Sequence, residues 1–147
     1  MPDGPGPDYE ALLSFRTALR RFNRWSEQQA QAVGLTHAQH QLLLAVKGHP
    51  DSRGPTIGDV ASYLLLRHHS AVELINRAQA GGFVERHRDG DDARVVRLQL
   101  TDQGRSCIEK LTHLHVEELQ QLAPLLRHVI DANEQRQRQL QLQLHQH

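Results

Sequence analysis

The 147-residue sequence holds one cysteine, Cys107, and only 4% aromatic residues, and it carries no formal net charge. A single cysteine excludes a disulfide framework within the chain and any zinc or iron–sulfur site built from several thiolates. Balanced charge, with 17 Lys and Arg against 17 Asp and Glu, argues against a histone-like or polybasic binder. It leaves open a protein that reads nucleic acid with a few well-placed cations. No apolar run approaches the roughly 18 residues of a membrane span, and the start MPDGPGPD lacks the basic and apolar regions of a signal peptide. A soluble, cytoplasmic chain is therefore expected. The sequence has no P-loop, dinucleotide fingerprint, Gly-x-Ser-x-Gly or plausible carboxylate pair, so neither an enzyme nor a cofactor is expected.

What is present is helical periodicity. Leu12, Phe15, Leu19 and Phe22 recur at spacings of three and four on one helix face, with Arg16, Arg20 and Arg24 on another, and Gly34 ends the helix. Thr36 with Gln39, and Thr56 with the acidic Asp59, read as N-terminal caps of two further helices. A fourth helix over Arg67 to Ala80 places Ala71, Leu74, Ile75 and Ala78 inward, and Gly81-Gly82 stops it. Phe83 to His87 and Val95 to Leu100 read as a hairpin around a polar tip, after which Thr101 caps a helix. Pro124 is expected to kink that last helix or to start a second one. Leu140, Leu142 and Leu144 alternate in a glutamine-rich tail expected to be frayed or weakly helical, or else an unpaired strand.

Helix, turn, helix and then a two-stranded hairpin make a winged helix-turn-helix, whose second helix is sized for the major groove of double-stranded DNA. With the apolar side buried, the solvent side of that helix carries His69, Glu73 and Asn76, with Val72 and Arg77 at its shoulders. Arg67, His68 and Ser70 lie at its start, where free N–H groups favour phosphate. Glu73 suits a cytosine amino group, or else an ion pair with Arg77 one turn on. In the wing, Arg88 and Arg94 are the candidate DNA contacts, and Asp92 is expected to brace Arg94. Residues 67–97 hold six arginines against five acids, so affinity has to come from where the cations point.

The stretch from Thr56 to Gly104 resembles the winged-helix core of the MarR family of regulators. The likeness is carried by ASYLLLRHHSAVELINRAQAGGFVERHRDGDDARVVRLQLTDQG, with its Asp92-Ala93-Arg94 wing and its closing Leu100-Thr101 followed by Gly104. Leu65 stands where the family commonly has a turn glycine, and Arg67-His68-His69 where it often has small residues or proline. The resemblance implies a mainly α fold with a small β-hairpin wing, a winged helix-turn-helix flanked by N- and C-terminal dimerisation helices. The divisions expected are a flexible segment over 1–8, a dimerisation helix over 9–34, the DNA-binding domain over 35–100 and C-terminal dimerisation helices over 101–147. It further implies a homodimer that binds a pseudo-palindromic operator as a repressor, released by a small, often aromatic or anionic, effector. Arg16, Arg20 and Trp25 are candidates for its cleft. A metal- or haem-responsive regulator and a winged-helix protein-interaction module are the alternatives. The 11 histidines include no HExxH and no Cys/His quartet, so no metal ligands are assigned. Cys107, with no resolving partner, reads as a structural thiol.

Overall fold

A computed structural model describes residues 7–146. The element order is α1 (Tyr9–Ala32), α2 (His37–Gly48), α3 (Ile57–Leu64), α4 (His68–Ala80), β1 (Val84–Arg88), β2 (Val96–Leu100) and α5 (Asp102–His145). The mainly α winged-helix fold expected from the sequence is the one observed. Two compact units are distinguished. One comprises the described residues up to Trp25 with those from Leu114 onward, and the other runs over Ser26–His113.

In the Ser26–His113 unit, side-chain capping sets the helix starts. The Thr36 hydroxyl accepts the Gln39 N–H at 3.1 Å while the Gln39 carboxamide accepts the Thr36 N–H at 2.9 Å. Thr101 opens α5 in the same way, its hydroxyl accepting the Gly104 N–H at 3.0 Å and donating to the Gly82 carbonyl at 2.6 Å. Gly34, at φ +84°, turns the chain out of α1, and the Leu35 N–H reaches back to the Ala30 carbonyl at 2.9 Å. The core joins Leu42, Leu43 and Val46 of α2 to Val60 of α3, the Ala71, Leu74, Ile75 and Ala78 stripe of α4, and Val84 and Leu98 of the hairpin. Ile108 and Leu111 of α5 complete it, with Cys107 packed half-buried against it. Gly104 sits so close to the chain that a Cβ there would stand 2.1 Å from the Phe83 carbonyl oxygen.

Three expectations are corrected. Most of the 1–8 segment lies outside the described residues, but Asp8 is ordered as a cap, accepting the Ala11 N–H at 3.0 Å. At Pro124 the expected second helix does not begin, since Pro124 lies inside α5. The tail does not fray at Gln135, because α5 continues to His145. Gln, Arg, Glu and Leu are all strong helix formers, and their summed propensity overrides the period-two leucines. Within the terminal unit, Leu13, Leu119, Leu126, Ile130, Leu142 and Leu144 are all exposed.

Candidate nucleic-acid interface

The α3–turn–α4 geometry starts with Thr56 and Asp59. Thr56 Oγ1 accepts the Asp59 N–H at 3.1 Å, and Asp59 Oδ2 accepts the Thr56 N–H at 3.0 Å. That backbone donor holds the Asp59 carboxyl below the usual carboxylate range. The turn then pivots on Leu65, in the left-handed region at φ 55° and ψ 43°, with its side chain 92% exposed. Beyond it Arg67 occupies the N-cap of α4 without supplying a side-chain acceptor, so the first-turn N–H groups remain available to an anion. His68, His69, Glu73, Asn76 and Arg77 are exposed along α4, and Ser70 and Val72 are half-buried at its margin. Among the described residues Glu73 and Arg77 form no ion pair with each other.

In the hairpin, β1 pairs antiparallel with β2, Val84 opposite Leu100 and Arg88 opposite Val96. At its tip the Asp89 N–H bonds the Val95 carbonyl at 2.9 Å, and the Val95 N–H bonds the Asp92 carbonyl at 3.0 Å. Arg94 Nε donates to Asp92 Oδ1 at 3.1 Å and Nη2 to Oδ2 at 3.3 Å, which lowers the Asp92 pKa. The Arg94 side chain remains 91% exposed, so its direction is set while its outer face is open. Arg88 is exposed and among the described residues has no ion pair.

Several structural residues of the wing were not legible in the sequence. Asp89, whose side chain is only 5% exposed, accepts Arg97 Nε at 2.7 Å and the Asp91 N–H at 2.9 Å. The Asp91 N–H first, and then Arg97, hold its carboxyl below the usual range. Arg97 Nη1 also donates to the Gly54 carbonyl at 3.0 Å, and Arg53 reaches Asp51 at 2.8 Å and Asp91 at 3.2 Å. The segment before α3 therefore lies along the second edge of β2. The Leu98 N–H bonds the Pro55 carbonyl at 2.9 Å, and Thr56 bridges Arg97. Gly54, at φ +93°, is required there, since a Cβ would stand 1.9 Å from the Leu98 carbonyl oxygen. Arg86 of β1 is another such residue: its guanidinium donates to Asn76 Oδ1 at 2.6 Å and to Gln79 Oε1. The alternation of β1 puts Arg86 on the side of Val84, and that was the available signal.

This geometry, a capped helix-turn-helix followed by a wing, recurs in known proteins. A family model described as the MarR family matches residues 33–95. The HTH-type transcriptional regulator TtmR of Methylorubrum extorquens (strain PA1) is 34% identical over 104 residues, 71% of this chain and 52% of TtmR. The likeness to the MarR family is thus carried by the helix-turn-helix and the start of the wing. The HTH-type regulator YkoM of Bacillus subtilis (strain 168) is 28% identical over 106 residues, 71% of this chain and 68% of YkoM. The chain thus spans about half the length of TtmR and about two thirds of YkoM. A crystal structure of a MepR–DNA complex from Staphylococcus aureus has a TM-score of 0.67 at 24% identity, covering 95% of this chain and 98% of that one. That likeness shows a shared fold over nearly the whole chain.

The terminal unit carries a cavity of about 330 Å³ lined by Arg21, Phe22 and Trp25 of α1 and Glu118, Gln121 and Leu122 of α5. Of the three residues expected at an effector cleft, Trp25 lines this cavity. Arg16 and Arg20 do not, because a helix turns about 100° per residue and moves them off the Phe22–Trp25 side. His115 packs against both Phe22 and Trp25, with ring centroids 5.7 and 4.8 Å away. Among the described residues no three His, Cys, Asp or Glu side chains gather where they could hold a metal ion, and no helix is long and apolar enough to cross a membrane.

Proposed function

We propose that this chain regulates transcription by binding a pseudo-palindromic operator in double-stranded DNA as a homodimer. In this reading α4 enters the major groove and the wing reaches the flanking backbone or minor groove. The observation that carries it is the distribution of charge. Asp89, Asp91 and Asp92 are each paired with an arginine, so the acids of the wing are compensated within the fold. Arg67, Arg77 and Arg88, which among the described residues have no ion pair, are left to meet phosphate. His68, His69, Ser70, Val72, Glu73 and Asn76 form the reading face, and Arg94, braced by Asp92, directs the wing.

Homodimerisation is supported by the terminal unit, which leaves Leu13, Leu119, Leu126, Leu142 and Leu144 exposed. The role proposed is repression, released by a small aromatic or anionic effector. The cavity with Arg21 beside Trp25 suits such a ligand.

Fluorescence anisotropy with duplexes from the DNA flanking the coding region tests this reading. Arg94→Ala and His69→Ala are each expected to weaken specific binding about tenfold or more with the dimer intact by sedimentation. Binding should fall steeply with salt as phosphate contacts release counterions. Unchanged binding by both variants would remove the assigned surface. A sedimenting monomer would remove the dimer.

A further inference from the structure

We infer that Arg86 is a positioning residue that holds Asn76 of α4 as a donor-only reader of base edges. Each half-site would then present guanine where Asn76 reaches it, in place of the adenine that an unconstrained asparagine selects. The inference rests on the DNA-binding reading above and deepens it.

The geometry comes from the register. Arg86 lies opposite Leu98 in the hairpin, two residues from the buried Val84, so its side chain leaves the sheet on the side of the core. Asn76 and Gln79 are three residues apart and neighbours on one helix face. One guanidinium spans both, Nη2 donating to Asn76 Oδ1 at 2.6 Å and Nη1 to Gln79 Oε1. A guanidinium has five donors and no acceptor. The carboxamide atom turned toward it is therefore the oxygen in both residues, whichever way each amide is drawn.

The consequence is chemical. An asparagine that selects adenine uses both ends of its amide, the oxygen accepting from N6 and the nitrogen donating to N7. With Oδ1 of Asn76 held by a cationic donor in the α4–β1 contact, the outward group is Nδ2, whose two hydrogens only donate. Guanine presents two acceptors, N7 and O6, in the major groove. Adenine would set its N6 amino donor against the Nδ2 donors.

The test is selection of duplexes from a randomised library by the full-length chain, followed by anisotropy on duplexes changed one base pair at a time. Wild type is expected to prefer guanine to adenine about tenfold at one position of each half-site, the order of discrimination that such contacts carry. Asn76→Ala should flatten that position alone. Arg86→Met should move its preference toward adenine, and Arg86→Lys, which keeps a donor near Oδ1, should retain guanine. A merely structural role for Arg86 would weaken all sequences equally and leave the profile unchanged, which overturns the inference. So does an Asn76→Ala profile identical to wild type. A wild-type chain that selects no duplex overturns the DNA-binding reading as well, so the two failures are distinguishable.

Discussion

Leu65→Gly is expected to stabilise the protein, which is unusual for removing a leucine. Leu65 sits at φ 55° and ψ 43°, the one non-glycine residue with positive φ among the described residues. An L-residue pays about 1–2 kcal/mol there because its Cβ crowds the following carbonyl oxygen. The side chain is 92% exposed, so its loss removes almost no burial. Against the relief stands the greater freedom of glycine in the unfolded chain, about 0.4–1 kcal/mol. The balance is a gain of about 0.5–1 kcal/mol, or a rise of about 2–4 °C in Tm per kcal/mol for a chain of this size. Leu65→Ala separates backbone from side chain, since it keeps the Cβ and should stay within about 0.5 kcal/mol of wild type. Urea unfolding at one fixed protein concentration reads both, with the midpoint moving at constant slope. A Gly variant no more stable than the Ala variant would refute the assignment of strain to this turn.

Gly104→Ala should destabilise by about 2 kcal/mol or more, because its Cβ would meet the Phe83 carbonyl oxygen at 2.1 Å and backbone must move; an unchanged Tm would contradict that packing. Thr56→Ala should cost about 1 kcal/mol by removing the acceptor for the Asp59 N–H, read as a shift in the urea midpoint. Acid should loosen the wing late. Asp51, Asp89 and Asp92 all have lowered pKa values, Asp51 chiefly through the Arg53 side chain, Asp89 through the Asp91 N–H and Asp92 through the Arg94 side chain. Their contribution is therefore complete above the ordinary aspartate value of about 3.9 and lost as pH falls below it. Amide signals of Asp91 and Arg94, whose N–H groups donate to Asp89 and Asp92, should hold steady from pH 7 to about 5 and change below about pH 4. A transition near pH 6 would point to histidine instead.

Much of the winged helix was legible because its signals are local. The Ala71, Leu74, Ile75 and Ala78 stripe is a 3.6-residue period, and the Thr36 and Thr56 caps are spelled within four residues each. The hydrogen bond from Arg97 to the Gly54 carbonyl and the close approach of Gly54 to Leu98 depend on the chain before α3 returning to β2, more than forty residues on. No local pattern announces that return. The clamp of Arg86 on Asn76 likewise needs the packing of β1 on α4 before the two residues can be associated. Pro124 starts no second helix, for the opposite reason. Its penalty is local, about 3 kcal/mol, and it is set against a helix of 44 residues whose other turns favour continuity.

The hairpin has a further consequence, for how copies of the chain can meet. One edge of β2 is taken by β1 and the other by the segment before α3, leaving the outer edge of β1 as the open one. Four of the five residues of β1, Glu85, Arg86, His87 and Arg88, are ionisable. A strand so short and so charged is a poor template for another chain, since each added strand would have to desolvate those groups. The wing is protected against joining sheet to sheet and against growing into a fibril. Association of copies through the sheet is thereby disfavoured.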